Sequence, residues 1–118
     1  MRFMVMAMVT KESEGGPPPT PEAFAAMQKY NEELAKAGVL LAAEGLSASS
    51  QGVRVKFSGD ERIVVDGPFA ETKELIDGFA LVKVSSKEEA IRLASEFMKI
   101  AGDGKGEILQ MFDQGQVD

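Results

Sequence analysis

Arg2-Phe3-Met4-Val5-Met6-Ala7-Met8-Val9 is the stretch on which the fold turns. Side chains alternate across a β-strand, so Phe3, Val5, Ala7 and Val9 take one face while Met4, Met6 and Met8 take the other. Both faces are apolar. The helices of a small layered domain cover one side of an antiparallel sheet, so a strand that is apolar on both sides needs a second cover, and a second copy of the chain is the simplest. The same run lacks the long basic leader and small-residue cleavage site of a secretory signal. No apolar stretch nears the ~20 residues needed to cross a bilayer.

Outward from this strand, residues 11–20 are polar and rich in Gly and Pro, a loop that continues neither sheet nor helix and is expected to move, its segment Gly15 to Pro19 gating a ligand. Thr20 then offers an N-cap, Pro21 suits the first helical position, and Phe24, Met27, Tyr30 and Leu34 recur at helical spacing until Gly38. Residues 39–46, 52–57 and 62–66 read as strands, the last two joined by a hairpin turn at Ser58-Gly59-Asp60, and residues 78–84 as a fifth. Ser86-Lys87-Glu88-Glu89 has the pattern of a capping box. It opens a second helix with Ala90, Ile91, Ala94, Phe97, Met98 and Ala101 on one stripe, and a last strand follows at 106–112. The order is β-α-β-β-β-β-α-β, the split β-α-β pattern of ferredoxin-like α+β domains with an extra hairpin between the halves.

The 118 residues suit one domain spanning 1–118, since a chain of that length buries roughly two-thirds of its unfolded surface. Thirteen basic against nineteen acidic residues give a formal charge of −6, which repels phosphate backbones and anionic lipid; neither nucleic acid nor membrane is an expected partner. The absence of cysteine removes disulfides, thiolate nucleophiles and sulfur metal sites. The absence of histidine removes the usual general base near neutral pH and most zinc, copper and non-haem iron sites. Only oxygen-ligated ions such as magnesium or calcium remain plausible metals, though no metal site is assigned, and with no Walker-type phosphate loop or dinucleotide fingerprint no cofactor is expected. The location expected of such a chain is cytoplasmic.

Chemistry-bearing residues gather in Asp66-Gly67-Pro68-Phe69-Ala70-Glu71-Thr72-Lys73-Glu74. Gly67-Pro68 suits a surface turn. Asp66 cannot make the usual turn contact with the N–H two residues on, because Pro68 has none, so its carboxylate looks elsewhere: to a later N–H, to a short helical turn, or into a cavity. Glu44 stands in the otherwise apolar Leu40-Leu41-Ala42-Ala43-Glu44-Gly45-Leu46, where an acid is either paired, cavity-lining or solvated at a strand end. A shared pocket would raise the pKa of one of the two acids and make them an acid/base pair. Arg54, Glu71 and Lys73 are the candidate substrate-binding charges, Arg54 neutralising an acid or holding an anion. Tyr30 reads as core, and the seven methionines as packing.

The nine residues 66–74 resemble the signature of the DGPF-type branch of the YCII-related (YciI-like) family, and Glu44-Gly45-Leu46, Gly78-Phe79 and Glu88-Glu89-Ala90 are similar to residues of that branch at corresponding places. The resemblance implies a dimeric α+β barrel, two ferredoxin-like units packed sheet to sheet in a homodimer. It also implies, through members that sit beside sigma-factor genes, a non-catalytic ligand-binding or protein-interaction module tied to regulation. In the wider family a His–Asp pair is proposed as the active site; Asp66 corresponds to the acid, and the histidine has no counterpart. The expectation is therefore a small enzyme using Asp66, with Glu44 or Glu71, for acid/base chemistry on a small organic substrate in a pocket at the dimer interface. The binding or interaction module is the alternative.

Overall fold

The protein is described by a computed structural model covering residues 1–10, 13–14, 19–69, 73–102 and 104–113. Its elements are β1 (Arg2–Thr10), α1 (Pro21–Lys36), β2 (Leu40–Gly45), a 3₁₀ turn (Ser49–Gln51), β3 (Val53–Ser58), β4 (Glu61–Asp66), β5 (Glu74–Lys83), α2 (Lys87–Ala101) and β6 (Lys105–Gln110). The strands form an antiparallel four-stranded sheet in the order β2-β5-β1-β6 and a separate β3-β4 hairpin. Two helices and antiparallel sheets in this order are compatible with a ferredoxin-like fold. Neither helix is long and apolar enough to cross a membrane.

Both helices start where their caps demand. The Thr20 hydroxyl accepts from the Ala23 N–H at 3.1 Å, with Pro21 leading the first turn, and the Ser86 hydroxyl accepts from the Glu89 N–H at 3.1 Å. The box at the second helix is shifted by one residue from its usual form. The Glu89 carboxylate reaches past Ser86 and accepts from the N–H of Ser85 at 3.0 Å and from its hydroxyl at 2.8 Å. Those two bonds hold the Glu89 carboxyl below its usual range.

One face of the large sheet meets the helices. Phe3, Val82, Val84, Ala90 and Leu93 form the buried cluster there, with Val5, Tyr30, Leu34, Val39, Leu40 and Ile108 packed around it. Tyr30 is half-buried at the edge of the core, and its hydroxyl donates to the Glu96 carboxylate at 2.8 Å, which in turn accepts from Arg92 at 2.9 Å. Burial and the neighbouring Glu96 carboxylate push the Tyr30 hydroxyl above its usual value, while the hydrogen bond from Tyr30 and then that from Arg92 hold Glu96 below its own.

No helix among the described residues covers the other face. Register sets two rows across it, Ala42-Leu81-Met4-Leu109 and Glu44-Phe79-Met6-Glu107. Leu109 is 60% exposed. At one end of this face Lys105 and Glu74 form an ion pair at 2.6 Å, and that bond raises the Lys105 ammonium above its usual value. The molecule measures 45 × 41 × 20 Å, a plate about one sheet and one helix layer thick. Its Cα radius of gyration is 16.3 Å, against about 13.5 Å for a compact chain of this length.

The fifth strand begins at Glu74, four residues before the sequence expectation. The reason is a register shift: Ala7 pairs with Gly78 but Met8 with Ile76, so Asp77 is the extra residue and the strand continues beyond it.

Candidate functional site

The signature turn begins where β4 ends. Asp66 closes the hairpin opposite Val53, and the next residue, Gly67, donates its N–H to the Gly52 carbonyl at 2.9 Å. The close approach here requires glycine, because a Cβ at position 67 would stand 1.8 Å from the carbonyl oxygen of Ser49 and 2.8 Å from its carbon. The Gly67–Pro68 peptide is cis. Phe69 follows, its ring facing Gly52, and the Arg54 guanidinium lies over that ring at 4.4 Å from the centroid.

Ser49, the partner of Gly67, is held from a third direction. The Glu14 carboxylate accepts from the Ser49 N–H at 2.7 Å and from the Ser49 hydroxyl at 2.7 Å. Glu14 is positioned by Thr10 at the end of β1, whose carbonyl accepts from the N–H groups of Ser13 and Glu14. Three segments distant in sequence thus converge on one buried serine. Local sequence patterns pointed to neither Glu14 nor Ser49, because their partnership spans 35 residues and has no periodic signal.

Beside this junction lies an open cleft of about 380 Å³, walled by Leu46, Phe69, Leu75 and Ile76, with Glu14 and Gln51 among its polar residues. A larger cleft of about 570 Å³ runs between α2 and β6, lined by Ile91, Met98 and Ile108 among others. The smaller one is the better candidate because it joins apolar walls to a carboxylate and borders the signature turn.

The sequence-derived candidates are distributed as follows. Asp66 is exposed at the base of the hairpin, and its carboxylate makes no hydrogen bond or ion pair among the described residues. Glu44 is exposed on the open face of the large sheet, opposite Phe79. The two acids stand on different sheets, and no hydrogen bond joins them. Arg54 is half-buried over Phe69, and Lys73 is exposed just before β5. Glu71 lies outside the described residues, as does most of the Gly/Pro-rich loop expected to gate a ligand. No cluster of three or more Asp or Glu with the spacing of a metal site occurs among the described residues.

Residues 1–109 match the family model of the YCII-related domain. An uncharacterized protein of Rhizobium meliloti (strain 1021) is 39% identical over 72 residues, which are 61% of this chain and 55% of that protein. The chain thus spans about half the length of this relative.

Proposed function

The chain belongs to the YCII-related domain family, and we propose that it acts as a self-associating domain that binds a small, partly apolar organic molecule in the cleft beside the signature turn. Two copies pack sheet to sheet as a dimeric α+β barrel, and the likeness of residues 66–74 to the DGPF signature supports a place in that branch. One observation carries this reading: the face bearing Met4, Leu81 and Leu109 has an apolar middle, and no helix among the described residues lies over it. Leu109 and Ile76 on this face are 60% and 42% exposed, and exposed apolar side chains on an uncovered sheet face mark an interaction site.

Support for the ligand comes from the cleft. Its volume falls at the lower end of the roughly 300–1,000 Å³ usual for small-molecule sites. The Glu14 carboxylate spends two acceptor positions on Ser49, and a carboxylate has about four, so capacity remains for a hydroxyl or amine of the ligand. In this arrangement the signature turn shapes and braces the site through Gly67 and Phe69.

Acid/base catalysis by Asp66 is the second reading. What favours it is the uncommitted carboxylate of Asp66, one residue from the glycine that packs on Ser49. The separation of Asp66 and Glu44 onto different sheets favours binding without a two-carboxylate mechanism.

A thermal-shift screen against a metabolite library tests both, with wild type, Ile76→Glu and Asp66→Asn in parallel. A ligand at 100 times its Kd adds roughly 2.7 kcal/mol. Hits that stabilise wild type and Asp66→Asn but not Ile76→Glu support cleft binding. Hits that survive Ile76→Glu place the ligand elsewhere, and turnover of a hit by wild type that Asp66→Asn abolishes supports the enzyme. A screen with no hits favours a protein-interaction module, including one tied to sigma-factor regulation.

A further inference from the structure

The β3-β4 hairpin presents an apolar face that no described element of its own chain covers. Strand pairing runs from Val53 opposite Asp66 to Ser58 opposite Glu61, so Val53, Val55, Phe57, Arg62, Val64 and Asp66 share one side. Val53, Val55, Phe57 and Val64 are 57%, 50%, 71% and 52% exposed. Contact with the body is made at the base, where Gly67 bonds to Gly52 and packs on Ser49. A lone two-stranded hairpin is marginal in water, and one with four exposed apolar side chains on a single face needs a cover.

The order of residues along this face says what the cover is. An acid, Asp66, stands at the base; the middle is apolar; a cation, Arg62, stands near the tip. A two-fold axis through the middle turns the face into its own complement, because each residue i that meets j is answered by j meeting i. Two hairpins laid antiparallel bring Phe57 onto the partner subunit's Val53, gather Val55 and Val64 about the axis, and set Arg62 against the partner subunit's Asp66 at both ends. Area argues the same way. The open sheet face offers a flat footprint of roughly 450 Å² and one hairpin face roughly 200 Å² more. A stable interface needs about 800 Å² of accessible surface from each partner, so the hairpin adds substantially to what the sheet alone supplies.

We propose that the two β3-β4 hairpins of a dimer pack face to face and antiparallel, with Arg62 of each copy paired to the partner subunit's Asp66. This rests on the dimer proposed above and adds a second contact to it. It also gives Asp66 a partner that the described residues of one chain do not provide.

Sedimentation equilibrium on wild type, Arg62→Asp, Asp66→Arg and the double reversal tests the pairing. Each single reversal places like charges together twice by symmetry, so dimer Kd should rise at least tenfold; the double reversal should return it to within about threefold of wild type. A monomeric wild type overturns the dimer and the hairpin pairing together. A dimeric wild type whose single variants associate equally well overturns the hairpin pairing alone, and weakened singles without rescue in the double overturn the antiparallel register. Carbodiimide labelling of Asp66 in the wild-type protein needs no variant: protection that disappears on dilution to monomer is expected, and equal labelling in both states overturns the contact.

Discussion

Gly67 presses so closely on Ser49 that a methyl group on its α-carbon would overlap the serine carbonyl, at 1.8 Å. The obstruction is backbone on both sides, so no rotamer change relieves it. Gly67→Ala should therefore destabilise the fold by about 3 kcal/mol, at the upper end of overpacking costs. The melting temperature should fall by roughly 10 °C or more, as read by circular dichroism. A fall of a degree or two would mean that the 3₁₀ turn at Ser49 yields easily.

Tyr30 and Glu96 tie α1 to α2. Tyr30→Phe keeps the ring in the core and removes the bond, which should lower the melting temperature by roughly 3 °C near neutral pH. The hydroxyl is raised, so its contribution is fully present below the usual 10.0 and is lost as pH rises above it. Glu96 is lowered, so its contribution is present above the usual 4.5 and is lost as pH falls below it. The difference between wild type and Tyr30→Phe should accordingly be largest between about pH 5 and 9 and shrink on both sides. A difference that stays flat from pH 3 to 11 would show that the hydrogen bond contributes nothing measurable.

Asp66 is exposed, and its carboxylate makes no hydrogen bond or ion pair among the described residues. Asp66→Asn should change the stability of the single chain by no more than about 0.5 kcal/mol, measured by urea denaturation of monomer at high dilution. A large loss would reveal a structural role for the carboxylate within its own chain.

Leu109 lies on the open sheet face in a row with Met4 and Leu81. Leu109→Glu should leave the far-ultraviolet spectrum unchanged, since the side chain is already 60% exposed, and should shift the mass seen by light scattering from dimer to monomer. An unchanged dimer would move the interface away from this face.

The elements most legible in the sequence were those whose cause is local. Alternation in β1 gave a strand apolar on both sides, Thr20 and Ser86 marked the helix starts, and Gly59 marked a hairpin turn, where it takes a φ of +61° with Asp60 following. Asp77 and Glu74 hid the first half of β5, because charged residues at and before a bulge interrupt the apolar run that identifies a strand. The candidate site was legible in part. The signature marked the turn, but its physical role emerged from Ser49 and Glu14, which approach it from distant segments and leave no spacing to detect. The expected Glu44–Asp66 pair required a tertiary proximity that residue types alone do not encode.

The 20 Å thickness of the plate has a calorimetric consequence. Among the described residues only Phe3, Met6, Val82, Val84, Ala90 and Leu93 are buried apolar side chains, so an isolated chain hides little hydrocarbon from water. Globular proteins of this length absorb about 1.4 to 1.8 kcal/mol/K in heat capacity when they unfold, and that quantity scales with the apolar surface newly wetted. The separated chain should fall well short of it, with a broad, shallow melting endotherm whose enthalpy varies little with temperature.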